Sequence, residues 1–177
     1  MMDFSDMINA GIFGMIQSGK TTLARKIAWH FWRQKGQRSI YYDPKHDPAR
    51  NWWPECGTIF YEEEGFWAAA QKEENLVVVV DEAAVSISRN RDLMWVFTMM
   101  NGRHHRLIVV GHSGSDLLPG MRQQLGYLFL FRQSVEAADM WQRDFADPGI
   151  MAATTLNQFE FLMAARFKPA QKFLLTK

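Results

Sequence analysis

Gly11 to Thr22 reads GIFGMIQSGKTT, and the fold turns on this stretch. It carries the pattern G-x-x-x-x-G-K-T, with Gly14, Gly19, Lys20 and Thr21 in the fixed places. The apolar block before it, Met7 to Phe13, reads as a strand. The segment after it reads as a helix from about Lys20 to Lys35, closed at Gly36. A strand, a tight glycine loop and a helix N-terminus together make an anion site, because unpaired N–H groups and the helix dipole converge on one point. Gly14 and Gly19 allow a close backbone approach that a Cβ would block, and Met15, Ile16, Gln17 and Ser18 complete the loop between them. Lys20 is expected to reach the β and γ phosphates, Thr21 to offer its hydroxyl to Mg²⁺, and Thr22 to finish the binding segment. The loop alone does not separate a kinase, a switch and a motor.

Further along, apolar blocks alternate with helical patterns, which is the signature of an α/β fold. Strands are expected at Ser39–Asp43, Thr58–Tyr61, Leu76–Val80, Leu107–Gly111 and Tyr127–Phe131. Helices are expected around Phe66–Lys72, Asp92–His104 and Val135–Phe145. The run LVVVV, Leu76 to Val80, is β-branched and apolar on both faces, so it belongs in mid-sheet. Near the C-terminus FEFLMAARF and KFLLT suggest an antiparallel pair, although Leu162 to Phe167 leaves a helical continuation open.

The stretch LVVVVDE ends the central strand in two carboxylates. Asp81 would hold Mg²⁺ through water, and Glu82, one residue further toward the γ phosphate, would polarise an attacking water. Water as acceptor means hydrolysis rather than phosphoryl transfer to a second substrate. No N-K-x-D guanine-reading stretch is present, so the pair favours ATP with Mg²⁺. A solvated pair capping the next helix is the bland alternative.

Composition narrows the class. The 177 residues, 47% apolar and 22% charged, suit one domain, 1–177, with a real core. Twenty basic and nineteen acidic side chains leave a net charge of +1, so any nucleic-acid surface must be local. One cysteine, Cys56, excludes an internal disulfide framework. The longest apolar run is far below the ~18 residues of a membrane helix. The N-terminal MMDFSDMINA lacks the build of a secretion signal. A soluble cytoplasmic protein without a membrane span is expected.

With these residues in hand, three further stretches carry a resemblance. YYDPK (Tyr41–Lys45), NGRHHRLIVVGHSGSDLLPGMR (Asn101–Arg122) and LFLFRQ (Leu128–Gln133) resemble segments of the FtsK-HerA superfamily of DNA-pumping ATPases, most of all the viral genome-packaging ATPases. The resemblance runs from the first strand to about Phe131. It implies a P-loop NTPase fold of RecA/ASCE type: a mainly parallel central sheet flanked by helices, with antiparallel additions near the C-terminus. It also implies an ATP-hydrolysing translocase of double-stranded DNA, indifferent to base sequence, that fills a preformed capsid. Such an enzyme would act as a homo-oligomeric ring, read as a hexamer, docked on capsid vertex proteins in the host cytoplasm or at the virion packaging vertex.

Carried over by position, Arg103 would be an arginine finger entering the neighbouring subunit's site, the alternative being a solvated helix end with His104, His105 and Arg106; Arg122 is a second candidate that reads equally as a surface helix arginine. His112 stands where the family usually has glutamine as γ-phosphate sensor, and protonation of a histidine there would bring pH sensitivity. His104 and His105 are adjacent, about 100° apart on a helix, and read as structural. Lys45–Asn51 and Ser86–Arg91 are candidate DNA-facing loops, while Trp52 and Trp53 read as packing or interface residues. A small P-loop kinase or a nucleotide-dependent assembly protein remain as alternatives.

Overall fold

The structure is a computed structural model that describes Phe4 and residues 6–45, 56–88 and 90–176. Along the chain run β1 (Asn9–Phe13), α1 (Lys20–Lys35), β2 (Ser39–Tyr42), β3 (Gly57–Phe60), α2 (Glu63–Lys72), β4 (Val77–Val80) and α3 (Ala83–Ser86). They are followed by α4 (Met94–Thr98), β5 (Arg106–Gly111), α5 (Pro119–Gln123), β6 (Tyr127–Leu130), α6 (Val135–Phe145), β7 (Glu160–Ala165) and β8 (Lys168–Leu174). Among the described residues, eight strands join one sheet in the order β3-β2-β4-β5-β1-β6-β7-β8. β1 to β6 pair in parallel, and β7 and β8 are added antiparallel.

The continuous apolar strands are explained by burial on both faces. In β4, Val77 and Val79 face one core with α1 residues Leu23, Ile27 and Phe31, whereas Val78 and Val80 face the opposite core with Phe66, Val96 and Trp141. β5 divides in the same way, Leu107 and Val109 to one side, Ile108 and Val110 to the other. Period-two alternation therefore remains, with both phases apolar. Leu76 lies just outside β4, and its N–H donates to His105 Nδ1 (3.0 Å).

Two expectations need correction or resolution. The helix read over Asp92–His104 is broken: 3₁₀ turns at Arg91–Leu93 and Met100–Arg103 flank the five-residue α4. Asn90 caps Asp92 N–H, the Thr98 hydroxyl donates back to Met94 O (3.3 Å), and Asn101–Gly102 are poor helix formers. Burial of Leu93, Val96, Phe97 and Met100 preserves the apolar face while the backbone departs from the α-helix. The segment at Leu162–Phe167 resolves as strand to Ala165 and turn at Arg166–Phe167; Phe161 and Leu162 enter opposite cores, as neighbours on a strand do.

The topology matters for the site. β5 is inserted between β1, which carries the glycine loop, and β4, which carries the acidic pair. Being parallel, all three strands deliver their carboxyl ends to the same sheet edge, where ligands of open α/β sheets bind.

Candidate functional site

At the end of β1 the backbone turns through Gly14, whose N–H donates to Gly111 O (3.3 Å) on β5. A Cβ on Gly14 would lie 2.5 Å from Phe131 Cβ, so only glycine lets the loop pass this close to β6. Gly19 sits at φ +106°, and a Cβ there would meet Leu175 Cδ2 at 2.7 Å. Lys20 Nζ donates to Gly14 O and Met15 O, each at 2.9 Å. Burial lowers its pKa, and Asp81 and Glu82 partly restore the charged form. A partly buried cation at the end of the loop is suited to an anion. The Ser18 hydroxyl is buried and has no hydrogen-bond partner among the described residues, and it lines a cavity of about 260 Å³ with Gln17, Gly19, Lys20, Thr21 and Thr22. This orphaned donor, the glycine cradle and the desolvated lysine fit a polyphosphate.

The acidic pair is not a solvated cap. Asp81 is 2% exposed and is held from three sides. Thr21 Oγ1 donates to its Oδ2 at 3.4 Å, the buried Tyr41 hydroxyl donates to the same oxygen, and the Glu82 N–H donates to Oδ1 at 2.8 Å. Thr21 and Asp81, in hydrogen-bond contact with each other, are the pair that would hold Mg²⁺, Asp81 through water. Glu82 sits at φ 53°, ψ 57°, a left-handed conformation that costs a non-glycine residue of order 1 kcal/mol and is typical of strained functional positions. Its carboxylate pairs with Lys45 Nζ (2.7 Å) and lies 3.6 Å from His112 Nε2. Strand order thus brings His112 beside Glu82, between the loop and the acid.

The other basic residues divide. Arg103 lies before β5, at the sheet edge opposite the glycine loop; the six residues of β5 alone span about 20 Å. It cannot serve its own site. It is exposed and rims a largely apolar groove of about 520 Å³ lined by Trp95, Met99, Met100 and Ala70. Arg122 is neither a free finger nor a surface residue: it is 9% exposed, bonds Asp144 Oδ2 through Nε (2.5 Å) and donates to Leu117 O (2.9 Å). His105 is buried, accepting from Leu76 N–H and bonding Ala70 O through Nε2 (2.9 Å), which ties α2 to β4 and β5.

Three participants escaped the sequence reading. Tyr41 and Lys45 were visible within YYDPK, but Tyr41 had no assigned contact and Lys45, read as the start of a DNA-facing loop, instead pairs with Glu82. Phe159, in the cavity wall, lies 140 residues from the loop and carries no local signal. Of the candidate DNA loops, residues 46–51 and 89 lie outside the described residues, as do Trp52 and Trp53.

With this geometry in view, solved structures supply the comparison. The fold is that of a P-loop ATPase. The DNA-packaging ATPase B204 of Sulfolobus turreted icosahedral virus matches with TM-score 0.76 and 15% identity over 93% of this chain and 96% of that one. The genome-packaging NTPase B204 of Sulfolobus turreted icosahedral virus 2, in complex with AMPPCP, matches with TM-score 0.74 and 16% identity over 97% and 98%. The pCW3 conjugation coupling protein TcpA, bound to ATPγS, matches with TM-score 0.69 and 14% identity over 98% of this chain and 61% of that one. No protein-family model matches the sequence, and no curated protein matches it either. Among the described residues, no helix is long and apolar enough to cross a membrane.

Proposed function

We propose that this chain is an ATPase of the FtsK-HerA type that translocates double-stranded DNA, and that its task is to package a viral genome. The observation that carries the hydrolytic part is the convergence, at one sheet edge, of the glycine loop, the Thr21–Asp81 pair and Glu82. The fold likeness to DNA-packaging and conjugation ATPases supports the DNA part.

Lys20 and the loop N–H groups bind the β and γ phosphates of ATP. Thr21 and Asp81 would hold Mg²⁺, which when bound would supply charge neutralisation. Glu82 takes the proton as water attacks the γ phosphorus, the bond to the β-phosphate oxygen breaks, and ADP and phosphate leave. His112 orients Glu82 and the water. Arg103 completes the site of a second copy, stabilising transition-state charge there. An arginine so remote from its own loop, beside an apolar groove, and the exposed Met15 and Ile16 at the loop tip support a ring in which each subunit covers its neighbour's nucleotide. The partners are then DNA phosphates, gripped without base readout, and capsid vertex proteins, in the host cytoplasm or at the virion packaging vertex.

ATP turnover measured with and without double-stranded DNA tests this reading. Stimulation by DNA of any sequence, lost in Glu82→Gln with ATP binding retained, is the expected result. Phosphorylation of an added acceptor, or binding with no turnover in any condition, would overturn it.

A further inference from the structure

The cavity beside the glycine loop has one wall that no phosphate needs. Gln17, Ser18 and Thr22 share the lining with the ring of Phe159, an aromatic residue 38% exposed in a polar pocket of about 260 Å³. Its Cδ1 lies 3.3 Å from where a Gly19 Cβ would be, so the ring rests on the loop itself. The backbone there is left-handed, φ 65°, which is rare for a bulky aromatic and persists only when the surroundings hold it.

The surroundings do hold it. Phe159 O accepts from Leu175 N–H (2.8 Å), and Gln158 Nε2 donates to Gln17 O (3.4 Å). The turn is closed by Asn157 N–H to Glu160 Oε2 (2.8 Å), and Glu160 is paired in turn with Lys172 (2.8 Å). The antiparallel β7–β8 hairpin thereby carries a strained, half-exposed phenyl ring to the glycine loop, next to a buried hydroxyl, Ser18 Oγ, that has no partner among the described residues.

We propose that Phe159 is the platform on which the nucleobase stacks. This rests on the reading of the loop as a nucleotide site. The triphosphate occupies the loop, the α phosphate lies toward Thr22, and the base lies flat on the phenyl face. A stack grips the π-face of any base and reads no edge, so it anchors the nucleoside without choosing among bases.

The test compares ATP with inorganic tripolyphosphate, which has the phosphates and no base, by titration calorimetry on the full chain. Phe159→Ala weakens ATP about tenfold, the scale of one base–aromatic stack, and leaves tripolyphosphate within about twofold of wild type. Phe159→Trp keeps ATP within about threefold. Equal losses for both ligands would mean that the ring merely buttresses Gly19, and no loss for either would mean that the base lies elsewhere; each overturns the proposal. If the wild-type protein binds neither ligand, the nucleotide reading itself fails. If it binds tripolyphosphate as tightly as ATP, only the platform fails. Melting curves of both variants confirm that each is folded.

Discussion

Replacing Arg122 by methionine separates a strut from a finger. In the folded chain its guanidinium bonds Asp144 Oδ2 at 2.5 Å, Leu117 O at 2.9 Å and Gly114 O at 3.4 Å, and the two side chains are only 10% and 20% exposed. Hydrogen bonds to a charged group contribute about 1.5–3 kcal/mol each when buried, and stranding the partner of a buried pair costs about 3–5 kcal/mol. Residual solvent access to Asp144 and the weak 3.4 Å contact place the expected loss near the low end, about 3 kcal/mol. Unfolding 177 residues carries an entropy of about 0.37 kcal/mol/K, so the melting temperature should fall by about 8 °C. The assay is thermal unfolding by circular dichroism with ATP turnover measured alongside. Arg122→Met/Asp144→Leu should recover part of the loss, because no unpaired carboxylate remains. An unchanged melting temperature with abolished turnover would refute the strut and return Arg122 to the finger role.

Arg103→Ala should melt like wild type and bind ATP, yet lose about a thousandfold in turnover; mixing it with Glu82→Gln should restore some activity, since one interface type then joins an intact Glu82 to an intact Arg103. Mixtures that stay inactive while forming mixed oligomers would exclude action in trans. Tyr41→Phe, isosteric in the core, should raise the Mg²⁺ concentration for half-maximal turnover about tenfold, because it frees one oxygen of Asp81 from its orienting donor; an unchanged Mg²⁺ titration would exclude that role. Burial lowers the pKa of His105 below its ordinary value of 6.5. The unfolded chain therefore binds that proton more readily, and the stability His105 contributes above about pH 6.5 is lost as pH falls toward the folded-state value. Urea midpoints at pH 7.5 and 5.5 should show this drop, flattened in His105→Gln; an equal drop in the variant would assign it elsewhere.

Short-range patterns in the chain were sufficient for the glycine loop, the limits of α1 and α6, the buried central strand and the acidic pair. Each is encoded within a few residues: turn glycines, a 3.6-residue or two-residue period, a carboxylate where a strand ends. The same local reading failed over Asp92–His104, where helical periodicity was real but burial, Thr98 back-bonding and Gly102 decided the backbone. It also left Arg122 ambiguous, because Asp144, the partner that makes it structural, lies 22 residues away.

By itself, then, the sequence determined that a strand–loop–helix would cradle phosphate and that a buried strand would end in two acids. Only the tertiary structure decided which groups surround them. Tyr41 meets Asp81 across 40 residues, and Gln158 carries its neighbour Phe159 to Gln17 across 141. Loop and acid announce themselves through local backbone geometry. The residues that orient them are chosen by strand order, and nothing in the spacing of neighbours records which strands will lie side by side.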